Sequence, residues 1–88
     1  MSAGDTVTVY DLAAPELRGE AEVVLASPND NSLALAFHDK PPFAWGEPPL
    51  GFPVHPDYGA MLLLLRDATS QPFWIDLFTG KRFNVEAV

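Results

Sequence analysis

Apolar and polar side chains alternate with a period of two in stretch after stretch of this chain. That spacing sends every second side chain to one face of an extended strand. Thr6-Val7-Thr8-Val9-Tyr10 puts Val7 and Val9 on one face, and Glu20 through Leu25 sets Ala21, Val23 and Leu25 opposite two glutamates. Leu33, Leu35 and Phe37 alternate with Ala34 and Ala36. Phe73, Ile75 and Leu77 alternate with Trp74 and Asp76, and Phe83 and Val85 flank Asn84. The pattern predicts strands that bury Val7, Val9, Ala21, Val23, Leu25, Leu33, Leu35, Phe37, Phe73, Ile75, Leu77, Phe83 and Val85.

The segments between these stretches carry turn chemistry. Ser27-Pro28-Asn29-Asp30-Asn31-Ser32 combines residues that fix φ, tolerate left-handed backbone or bond their own main chain, and so predicts a hairpin between the second and third strands. Phe78-Thr79-Gly80-Lys81 offers a glycine for positive φ in a second hairpin, and Asp67 to Pro72 is a further turn. Ala60 to Leu65 is apolar on both faces. Leu and Met favour helix, but the run is short and flanked by strand signals, so it reads as a strand covered on both sides. Ala13 to Arg18, with Pro15 suited to a first helical position and Gly19 to an end, supports one helical turn at most.

Five or six short strands are too few for a two-layer sandwich. They predict a mainly β fold in which a strongly bent antiparallel sheet closes into a small, partly open, SH3-like barrel with one long loop. A flatter sheet covered by a second copy of the chain is the alternative. With 88 residues there is room for one core, hence a single domain over residues 1–88.

Composition narrows the function. Nearly half the residues are hydrophobic and 19% are charged, a balance that folds despite nine prolines. Without cysteine there is no disulfide framework, thiolate metal site or thiol nucleophile. Five basic residues against twelve acidic ones give a net charge of −7, which repels phosphate backbones and argues against a nucleic-acid partner. The run from Ala60 to Leu65 is far short of the roughly 20 residues a helical membrane span needs, so no membrane partner is expected. Met1 to Asp5 lacks the basic and apolar regions of a secretion signal, which leaves a cytoplasmic location as the expectation.

Residues 38–59 fit no regular element. They hold six of the nine prolines, both histidines, and Phe43, Trp45, Leu50, Phe52 and Tyr58. So much apolar surface is not left in water, and prolines reduce the entropy lost on ordering such a connection. Two uses follow, a lid folded back over an open end of the sheet and a stiff recognition surface, and different residues can serve each.

The same segment carries the ingredients of a metal or acid/base site, since His38, His55 and Asp57, with Asp39, supply imidazoles and carboxylates. The spacing matches no metalloenzyme signature, and no nucleophile elbow or glycine-rich phosphate loop is present. A small metal-dependent or acid/base enzyme centred on His38, His55 and Asp57 is therefore the alternative. The favoured expectation is a non-enzymatic binding or protein-interaction module without cofactor or resident metal. Its contact surface comprises Phe43, Trp45, Phe52, His55, Tyr58 and Trp74, and its partner is a protein or small ligand. Trp74, opposite Phe73 and Ile75 in the alternation, and one face of residues 61–65 predict a homodimer that hides them.

Overall fold

A computed structural model of the chain describes residues 1–27, 31–37, 39, 41–46, 61–66 and 73–88. Six strands run in order: β1 (Thr6–Asp11), β2 (Ala14–Ala26), β3 (Ser32–Ala36), β4 (Met61–Leu65), β5 (Trp74–Asp76) and β6 (Arg82–Ala87). Each pairs antiparallel with its sequence neighbour, and β1 also pairs with β6, so the bent sheet closes completely. Closure removes the unpaired edges that a partly open barrel would leave. The described residues contain no helix, hence none long and apolar enough to cross a membrane.

Val7, Val9, Leu35, Leu62 and Phe83 lie fully buried in the interior, as the period-two pattern requires. β4 is a strand with Leu62 and Leu64 inward and Leu63 and Leu65 outward. Ser27 closes the β2–β3 hairpin, its Oγ accepting the backbone N–H groups of Asn31 and Ser32 at 3.1 Å each. Gly80, at φ 73°, supplies the left-handed residue of the β5–β6 hairpin.

Three expectations are corrected. The helical turn at Ala13 to Arg18 is instead the first part of β2. Asp11 reverses the chain by accepting the Ala13 N–H on Oδ1 at 2.9 Å, after which β1 pairs with Ala14 and again from Arg18 onward. Pro15 falls where the β1–β2 register shifts, between the pairs Tyr10–Arg18 and Asp11–Ala14, a place that tolerates the loss of a ladder donor.

Leu25 points outward and is 66% exposed, although Ala21 and Val23 are buried. Val23 pairs with Leu35 but Leu25 pairs with Ala34, so one extra residue bulges between them and reverses the facing of the strand. Ala26 takes the inward place opposite Leu33.

β5 has the opposite phase from the one expected. Trp74 and Asp76 are buried, Phe73 and Ile75 are half-buried, and Leu77 is exposed. The hairpin register decides this: the Asp76 N–H donates to the Lys81 carbonyl at 2.8 Å, which sets Trp74 directly opposite the inward Phe83.

Candidate functional site

One end of the barrel gathers the end of β1, the start of β2, the end of β3, the start of β4, the end of β5 and the start of β6. Residues 41–46, leaving β3, fold back across this end. Phe43 is 5% exposed and packs edge-on to Phe37 at 5.9 Å between ring centroids and against Phe83 at 5.1 Å. Trp45 tilts against Phe37 at 6.1 Å. Pro41 lies over Gly19, where a side chain's Cβ would meet the proline at 3.3 Å and the Phe37 ring at 3.5 Å. The first part of the proline-aromatic connection is thus a lid that extends the core, as offset and edge-on aromatic contacts favour.

Polar groups pin this lid on both sides of Trp45. On one side, Lys81 donates to the Ala44 carbonyl at 3.0 Å, pairs with Asp11 Oδ2 at 2.9 Å, and sits 5.8 Å from the Phe43 ring centroid and 5.4 Å from that of Phe83. Burial pushes the Asp11 carboxyl up. The Lys81 hydrogen bond, the amides of Ala13 and Ala14 and the Lys81 charge outweigh that and hold it below its ordinary value of 3.8.

On the other side, Asp76, 1% exposed, accepts the Gly46 N–H on Oδ2 and the Phe78 N–H on Oδ1, the latter at 2.9 Å. A buried carboxylate is costly unless its lone pairs are used, and here both oxygens serve the backbone. Any side chain at Gly46 forces its neighbours to shift: a Cβ there would lie 2.6 Å from Asp76 Oδ1 and 2.8 Å from Phe78 Cβ.

Trp45 itself is only partly buried, yet its indole N–H is buried and finds no acceptor among the described residues. An unsatisfied buried donor of this kind costs about 1–3 kcal/mol. The side chain therefore rests between two fixed backbone points with its one polar atom unused.

Of the residues expected at a contact surface, the structure brings Phe43 and Trp45 together at the lid. Phe52, His55 and Tyr58 lie outside the described residues, as do His38 and Asp57; Asp39 is exposed. Trp74 is not a surface residue: at 2% exposed it fills the barrel at the start of β5, with the Arg66 guanidinium 4.3 Å above its ring. The described residues contain no group of three acidic or imidazole side chains able to hold a metal ion. Sequence reasoning passed over Asp11, Gly46, Asp76 and Lys81. The signal for Asp76 was present, a lone carboxylate in the apolar run Phe73-Trp74-Ile75-Asp76-Leu77.

Several surface hollows lie outside the lid. A cleft of about 670 Å³ beside the Lys81 anchor is lined by Asp11, Leu12, Phe73 and Arg82 among others. An apolar groove of about 220 Å³ runs along the outside of β4 between Leu25, Ala34, Leu63, Leu65 and Leu77.

The molecule is thus a closed six-stranded antiparallel barrel with an apolar interior and an aromatic lid. The chain matches no protein-family model, no curated protein and no solved structure.

Proposed function

We propose that this chain is a non-enzymatic binding module whose contact surface is the lid end of the barrel, with Trp45 at its centre. The mounting of Trp45 carries this reading: main-chain bonds at Ala44 and Gly46 hold the backbone on either side, while the ring stays partly exposed with its donor free of any described acceptor. An aromatic anchor with a rigid base loses little entropy on binding, which is the property recognition residues share. Phe37 packs against both Trp45 and Phe43 and supports the anchor. Phe52, His55 and Tyr58, farther along the same connection, complete the proposed surface.

The acidic groups beside the lid favour binding over catalysis. Asp11 and Asp76 each commit both carboxylate oxygens to backbone amides or to Lys81. A general base must be free to move a substrate proton, and each oxygen of these two carboxylates is already held by a structural donor. Affinity capture from the native host, with wild type and Trp45→Ala compared at matched melting temperature, tests the reading. A partner held by wild type and lost from the variant supports it, and identical captured sets overturn it.

A second reading, self-association, rests on a different observation. Leu25, Leu65 and Leu77 are 66%, 46% and 47% exposed around the groove outside β4. The residues lining that groove are all uncharged in a chain of net charge −7, so this is a face where two copies approach with the least repulsion. Of the dimer face expected from Trp74 and one face of residues 61–65, buried Trp74 drops out, and the proposed face keeps Leu65 and gains Leu25 and Leu77.

A further inference from the structure

We infer that the cleft between the β1–β2 turn and the β5–β6 hairpin binds a small aromatic monocarboxylate, with the Arg82 guanidinium holding the carboxylate and Leu12 and Phe73 packing against the ring. This site is separate from the Trp45 surface and stands without it.

The cleft encloses about 670 Å³, within the roughly 300–1,000 Å³ of small-molecule sites. Leu12 and Phe73, each half-buried, form apolar walls, and Lys81 and Arg82 bring two of the chain's five basic residues to it. Main-chain N–H groups along the cleft are already engaged. Leu12 donates to the Arg82 carbonyl at 3.3 Å, Gly80 to the Asp76 carbonyl at 2.9 Å, and Ala13 to Asp11 Oδ1. Asp11 is engaged as well, because Lys81 takes its other oxygen and neutralises it in place.

Arg82 is different. β6 turns Phe83 inward, which leaves Arg82 exposed, and its guanidinium has no partner among the described residues. Lys81 adds one ammonium N–H beyond the two given to Asp11 and Ala44. The polar groups left unused in the cleft are therefore positively charged donors, set beside apolar surface. A carboxylate matches the guanidinium fork with two parallel hydrogen bonds. A dianion such as a phosphate ester would meet a chain of net charge −7 with little unneutralised positive charge to hold it, which selects a monoanion. An aromatic body gains most from the Phe73 and Leu12 walls.

Naphthoate is the probe, followed by ¹⁵N–¹H spectra of the whole chain. It is expected to move the amide signals of Leu12, Gly80, Lys81 and Arg82 saturably and to leave those of Val23 and Leu33 in place. Naphthamide lacks the charge, acetate lacks the ring and naphthyl phosphate carries a second charge; each is expected to bind at least about tenfold more weakly, as loss of a charge-assisted bond or of the apolar contact requires. Arg82→Gln changes an exposed side chain, keeps the melting temperature and weakens naphthoate about tenfold. Arg18→Gln removes a charge that does not line the cleft and leaves the affinity unchanged. Absence of a saturable shift, shifts spread over the whole barrel, or naphthamide binding as tightly as naphthoate overturns the inference. Equal weakening by Arg18→Gln reduces the effect to overall charge, and tighter binding of naphthyl phosphate contradicts the monoanion; either result overturns it too.

Discussion

The Asp76 carboxylate accepts the backbone N–H of Gly46 across 30 residues of sequence, and that bond fixes the point where the lid leaves the barrel. It ties the end of β5 to a segment that follows β3. Removing the carboxylate in Asp76→Ala strands a buried amide and frees the lid at this point. The expected loss in urea unfolding is at least about 1.5–3 kcal/mol, the worth of one hydrogen bond to a charged group, because the Phe78 N–H loses its Asp76 acceptor along with that of Gly46. Gly46→Ala forces its Cβ onto the same carboxylate and is expected to cost about 1–3 kcal/mol by overpacking. Unchanged midpoints in both variants contradict the anchor.

The Asp11–Lys81 pair gives the lid a sensitivity to acid. The folded carboxyl titrates below its ordinary 3.8, so the unfolded chain binds the proton more readily. Its stabilisation is complete above that value and disappears as pH falls through the lower folded one. Lys81→Met removes the cation that opposes burial, so the carboxyl rises and the acid-unfolding midpoint moves to higher pH. Circular dichroism across an acid titration measures both proteins, and coincident curves show that the pair does not support the fold.

Trp74 and Trp45 separate core from surface. Trp74 fills the barrel, so Trp74→Ala is expected to cost about 3–5 kcal/mol, in the range for emptying a large aromatic site, with no change in oligomeric mass. Trp45→Ala costs less, because its ring is only partly buried and its donor is unsatisfied to begin with. Equilibrium denaturation ranks the two directly; a greater loss at Trp45 reverses the assignment.

Leu65 tests self-association. Leu65→Glu places a charge beside the groove outside β4, where Leu25 and Leu77 also lie exposed. Wild type is expected to weigh in as a dimer by light scattering and the variant as a monomer of equal melting temperature. A monomeric wild type at high micromolar concentration removes the dimer.

The strands were legible because a half-buried strand repeats every two residues, and β1, β3 and β6 carry that repeat without interruption, whereas β4, apolar at every position, was legible only from its shortness and its strand neighbours. What failed was local phase. Nothing in Val23-Val24-Leu25 announces that Val24 is the extra residue of a bulge, since all three are apolar. In β5 the apolar count favours Phe73, Ile75 and Leu77, and only the hairpin register against Phe83 turns Trp74 inward. Pro15 resembled a helix start because local sequence cannot show that β1 is available as a partner for Ala14 and for the strand from Arg18 onward. The lid was legible in Phe43 and Trp45 as apolar surface needing cover. Its anchors were not, because Asp76–Gly46 and Lys81–Ala44 join residues 30 and 37 apart, a separation at which pattern carries no information.

Hydrogen exchange at the Gly46 amide tests the central claim, that the connection is pinned so as to mount Trp45 rigidly at the barrel end. Bonded to a buried carboxylate, this amide is expected to exchange as slowly as those of β1 and β6 and to lose that protection in Asp76→Ala. Exchange at the rate of an unprotected peptide in the wild-type protein contradicts it, since an aromatic on a loose tether is not a preorganised recognition surface.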